Sequence, residues 1–90
     1  MKDLEPVFSR LRELKHDCQV KNAHQATIGL VEDGYYGIVN SIKDGDIGLE
    51  SKFRSIHYDV SNLLEIVDKS LQDYNILCDL KDLFNYDNLS

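Results

Sequence analysis

The chain has 90 residues, 42% of them apolar, one proline, two cysteines and a formal net charge of −6. This length fits a single domain with a modest core, and so acidic a balance argues against nucleic acid or an anionic membrane as direct ligand, since both repel it. No apolar run approaches the roughly 20 residues of a membrane span, and the opening MKDLEPVFSRLREL is charged with no apolar signal core, so a cytoplasmic protein is expected.

The first segment reads as a helix. Leu4, Phe8, Leu11 and Leu14 recur at helical spacing, with Val7 on the same side. Asp3 is placed as N-cap, and Pro6 falls in the first turn, where its missing N–H costs nothing. Arg10, Arg12, Lys15 and His16 favour the C-terminal end of the dipole, and the helix should end near Asp17.

The stretch GLVEDGYYGIV, residues 29–39, admits two readings. In a hairpin, Asp33-Gly34 would occupy type I′ turn positions. Both faces of that hairpin are mixed, and each strand carries a weakening glycine. In helices, Asn22 and Gln25 form a capping box. Ala23, Ala26, Thr27, Leu30 and Val31 then make one apolar stripe, which restarts after Gly34 with Tyr35, Ile38, Val39 and Ile42. The helical reading is cleaner. It predicts two short helices joined at Gly34, acting as a C′ glycine with positive φ.

Lys43-Asp44-Gly45-Asp46 breaks the chain again. Leu49, Phe53, Ile56, Val60, Leu63, Val67, Leu71 and Tyr74 then step by threes and fours, widened by Leu64 and Ile66. This predicts one helix of about 25 residues, some 37 Å long. A last helix is expected over 76–84, with Leu77, Leu80, Leu83 and Phe84 inward, followed by a frayed end. The expected fold is therefore all-α, a compact bundle of four to five helices around one long central helix. The alternative is α+β with a hairpin at 25–42.

No glycine-rich phosphate loop, CxxC or HExxH occurs. His16-Asp17-Cys18 lacks the second cluster a zinc site needs, and Asp44-x-Asp46 lacks the other EF-hand positions. Cys18 and Cys78 read as free thiols. His57 reads as a surface or half-buried histidine. A Cys18–His57 nucleophile pair has no more support than any other such pair. The sequence thus predicts a protein that is not an enzyme and needs no cofactor or metal.

Charge is uneven. Residues 59–90 carry Asp59, Glu65, Asp68, Asp73, Asp79, Asp82 and Asp87 against only Lys69 and Lys81. Such a surface would steer a basic protein partner toward it. Of the adjacent Tyr35 and Tyr36, one can pack while the other faces solvent as an interface anchor. The candidate partner-binding residues are Glu32, Asp33, Tyr35, Tyr36, Asp44, Asp46, Asp73, Asp79 and Asp82.

Leu30-Val31-Glu32-x-Gly34-x-Tyr36-Gly37-Ile38 resembles the helix–Gly–helix signature of small bacterial immunity proteins of the Maf type, over about nine residues. Tyr35 stands where that family usually has Glu, and Val39-Asn40 where it has Ala-Leu. The resemblance implies structural roles for Gly34, Tyr36 and Gly37, and a non-enzymatic cytoplasmic inhibitor that neutralises a toxin, often a nuclease. The expected function is an acidic immunity or antitoxin-type inhibitor. The alternatives are a self-associating helical module, for which a homodimer is allowed, and a phage-type acidic inhibitor of a nucleic-acid-binding defence protein.

Overall fold

The computed structural model describes residues 4–89; the N-cap expected at Asp3 lies outside them. Four α-helices follow in order: α1 (Glu5–Val20), α2 (Gln25–Lys43), α3 (Leu49–Ile66) and α4 (Asp73–Leu83), then a 3-10 turn at Tyr86–Asn88. Among the described residues there is no strand, so the fold is all-α and the hairpin alternative at 25–42 is excluded. Short connections make successive helices antiparallel. Helices α1 and α3 each pack against both α2 and α4, and α2 and α4 also touch one another directly.

The first helix forms as its apolar spacing predicts. Leu4, Val7, Leu11, Leu14 and Cys18 are buried, and Pro6 sits in its first turn. The helix runs three residues past the expected end at Asp17. Its stop is Asn22, in the left-handed region at φ 54°. The Ala23 N–H donates to the Cys18 carbonyl at 2.9 Å and the Asn22 N–H to that of Gln19 at 3.4 Å. That is a Schellman closure, with buried Cys18 and Ala23 as its apolar pair. Asn22 therefore ends α1, and the capping box expected with Gln25 does not form.

Gly34 does not break α2. The helix is continuous for 19 residues, and only Gly45 and Gly48 among the glycines have positive φ. The buried positions Thr27, Val31, Gly34, Ile38 and Ser41 explain this. They step by four, three, four and three without a phase change at Gly34, so one helix serves the core better than two. Three interior glycines cost about 1 kcal/mol each. Burying Val31 and Ile38 alone returns about 1.5–3 kcal/mol apiece. The C′ role expected of Gly34 belongs to Gly45 (φ 75°). Beside it, Asp46 N–H donates to the Ser41 carbonyl at 2.7 Å and Gly45 N–H to that of Ile42 at 3.1 Å.

Gly34 and Gly37 have a different purpose. A Cβ at Gly34 would stand 2.6 Å from Cζ and 2.9 Å from Cε2 of Phe84, and one at Gly37 would strike the aliphatic stem of Lys52. Both are close-approach glycines. Phe84 in turn packs on Phe53, ring centroids 5.0 Å apart, and both rings are fully buried.

The long helix expected from Leu49 to Tyr74 is two helices. Helix α3 stops at Ile66, and Val67 turns extended at ψ 136°. Asp68 then accepts hydrogen bonds from the Ser70 N–H and Ser70 hydroxyl, both at 2.9 Å. This local turn competes with continued helix. At 18 residues α3 is no longer than α2, and Ile66, expected inside, is 81% exposed. The last helix starts at Asp73, three residues before its expected start, and closes the core with Ile76, Leu77 and Leu80. The end expected to fray carries the 3-10 turn, which Asn85 caps by accepting from the Asp87 N–H at 3.0 Å.

Candidate functional site

Helix α2 positions the aromatic pair. Tyr35 lies half-buried against the core, its ring edge-on to Phe8 of α1 at 5.6 Å. Tyr36, the next residue, stands edge-on to Tyr35 at 5.3 Å and is 52% exposed. One tyrosine packs and the other faces outward, as helix geometry requires of neighbours about 100° apart. The Lys15 ammonium lies 5.6 Å from the centre of the Tyr36 ring, so this ring already attracts a cation. Asp33, one turn earlier, is exposed, and Glu32 beside it is half-buried. The result is an outward tyrosine, backed by two edge-on rings, with carboxylates one turn away.

Asp44 and Asp46 are exposed in the turn after α2. They lie at the far end of that helix from His24. The three α4 acids have different surroundings: Asp73 is buried against the start of α2, Asp79 pairs with α1, and Asp82 is exposed. Asp79 accepts from Arg10 of α1 at 2.7 Å, and Arg10 also donates to Glu13 at 2.7 Å. The nine expected residues thus do not form one patch: Glu32, Asp33, Tyr35 and Tyr36 share α2, Asp44 and Asp46 lie in the turn after it, and Asp73, Asp79 and Asp82 lie on α4.

Asp73 is not a surface acid. It is 4% exposed, and its Oδ2 accepts from the Thr27 hydroxyl at 2.7 Å and the His24 backbone N–H at 2.9 Å. The His24 ring Nδ1 lies 3.1 Å from the same oxygen. His24 is the N-cap of α2 and offers no side-chain cap of its own. Asp73 supplies that cap from the first turn of α4, so one carboxylate serves the positive ends of two helices. Burial pushes its pKa up, and the hydrogen bonds from Thr27 and His24 outweigh this and hold the carboxyl below its ordinary value.

His16, Asp17 and Cys18 are consecutive on α1 and point about 100° apart, so they cannot converge on one ion. Cys18 is buried and Cys78 half-buried, both free. Burial, and then the nearby Asp73 carboxylate, raise the Cys18 pKa, which opposes a nucleophilic role. His57 instead lines a groove between α3 and the 3-10 turn, of about 410 Å³. Phe53 and Phe84 form its floor, Tyr58 and Tyr86 its walls. The Arg54 guanidinium lies 5.7 Å from the Tyr86 ring. Sequence reasoning missed this groove, because Tyr86 lay in a segment expected to fray. It also missed a depression of about 370 Å³ between the start of α2 and the end of α3, which Leu63, Ile66, Val67 and Leu71 line. The apolar spacing alone places Ile66 and Leu71 inside one longer helix, whereas both are exposed.

No family model, no curated protein and no solved structure matches the chain. Among the described residues, no helix is long and apolar enough to cross a membrane.

Proposed function

We propose that this chain is a small acidic, non-enzymatic binding protein that neutralises a basic protein partner, of immunity or antitoxin type, with a basic nuclease toxin as the fitting partner class. The observation that carries the reading is the outward Tyr36. It is held by Tyr35 and Phe8 and half exposed, with Asp33 one turn away on the same helix. A rigid tyrosine offers large contact area at small entropic cost. Neighbouring carboxylates and a net charge of −6 speed encounter with a basic surface. Toxin nucleases are commonly basic, because they must hold a phosphate backbone. Helix α2 runs unbroken through Gly34, so the resemblance to a helix–Gly–helix signature adds no support, and the reading stands on Tyr36 and the charge.

The test is affinity purification from the native host, with wild-type protein beside Tyr36→Ala. A stoichiometric basic partner should be retained by the wild type and bound at least about thirtyfold more weakly by the variant, the scale of an interface hot spot. Failure of the wild type to retain any stoichiometric protein would overturn the reading.

A further inference from the structure

Two of the three glycines in α2 have a reason inside the molecule, since Gly34 receives the ring of Phe84 and Gly37 the stem of Lys52. Gly29 has none. A Cβ built there meets no neighbouring atom within 4 Å, and the backbone is ordinary α-helix. Within this chain the residue only weakens α2. At about 100° per residue, Gly29, Asp33 and Tyr36 project on one side of the helix. That is the side away from buried Thr27, Val31 and Ile38. Toward the start of α2 this face adjoins the apolar depression, where Ile66 is 81% and Leu71 41% exposed.

We propose that this outward face of α2 receives an α-helix of a basic partner protein, with Gly29 at the point of closest approach and an aliphatic side chain of the partner seated beside Ile66 and Leu71. The proposal rests on the reading of the chain as a binder of a basic protein. Charge selects the occupant. Asp33 and Glu32 flank the approach and Asp68 lines the depression. The lysines beside this surface include Lys15 at the Tyr36 ring and Lys52, whose stem lies on Gly37, and the His24 ring lines the depression. A second copy of the chain would bring another net charge of −6 against these carboxylates. A lysine- and arginine-rich helix with an apolar edge complements both the charge and the depression.

The probe is a short amphipathic helical peptide of leucine and lysine, with a leucine–glutamate peptide of the same pattern as control. Amide chemical shifts of the wild-type protein should move at 26–36 and 63–71 with the lysine peptide and stay in place with the glutamate one. Gly29→Gln should raise the dissociation constant at least about tenfold while leaving the melting temperature the same or higher. Gly29→Ala, which adds one methyl, should weaken binding less. Shifts centred elsewhere, equal shifts with the glutamate peptide, or unchanged binding in both variants would overturn the proposal. A native complex insensitive to Gly29→Gln would sink this surface and leave the inhibitor reading standing. A host without any stoichiometric partner would do the reverse, provided the peptide binds as expected.

Discussion

The ring of Phe84, at the end of α4, rests on the backbone of Gly34 in the middle of α2. Gly34→Ala sets two effects against each other. Alanine favours helix by about 1 kcal/mol, while its Cβ would force Phe84 off a buried ring contact with Phe53, at about 1–3 kcal/mol. Net destabilisation of about 1 kcal/mol is expected in urea unfolding. A second substitution, Phe84→Leu, should make Gly34→Ala less harmful than it is in the wild type. If Gly34→Ala stabilises the protein, the close-approach account is wrong.

Gly29→Ala should behave in the opposite way. Nothing stands within reach of the added methyl, so the variant should gain about 0.5–1 kcal/mol. For a domain of this size that is a rise of roughly 2–8 °C in melting temperature. The pair of variants separates an open helical glycine from a crowded one by sign alone.

Asp73 makes stability depend on acid. Its carboxyl is held below the ordinary value of 3.8, so the folded chain takes up that proton less readily than the unfolded one. The stabilisation is fully present above the ordinary value and is lost as pH falls through the lower folded value. Asp73→Asn should cost about 1.5–3 kcal/mol at neutral pH and flatten the fall in stability below about pH 4. Denaturant titrations of both proteins across that range give the measurement. Parallel curves would mean the cap on α2 contributes little.

The two thiols should differ in rate. Cys78 is partly accessible, and Cys18 is buried with its pKa raised. A thiol reagent at neutral pH should modify Cys78 in the folded protein and Cys18 only after denaturant is added. Mass spectrometry of the labelled peptides distinguishes them. Equal labelling of both would show that the end of α1 opens readily.

Apolar spacing made the helices legible, and with them the fold class. Leu4 through Leu14 on α1 and Leu49 through Val60 on α3 are repeats that only packed helices satisfy. The interruptions were read less well, because glycine has two uses. At Gly34 it admits a neighbouring ring and at Gly45 it reverses the backbone, and local sequence does not separate these. The unbroken phase of Thr27, Val31, Gly34, Ile38 and Ser41 was the available signal, hidden because two of the five positions are polar and one has no side chain. The end of α3 was missed because Leu71 and Tyr74 continue the period beyond the turn. Asp68-Lys69-Ser70, where the Asp68 carboxylate accepts from the Ser70 N–H and hydroxyl, is the contrary signal. Of the expected contact residues, Tyr36 and Asp33 are exposed. Asp73 could not be recognised as a cap, since its partners His24 and Thr27 are remote in sequence.

The seating of Phe84 on Gly34 also bears on how the protein is made. Helix α2, weakened by three glycines, has too little intrinsic preference to persist by itself in water. The side chain that fills its notch is synthesised long after it. A fragment carrying α1 and α2 without Phe84 would leave the notch at Gly34 and the apolar stripe of α2 uncovered.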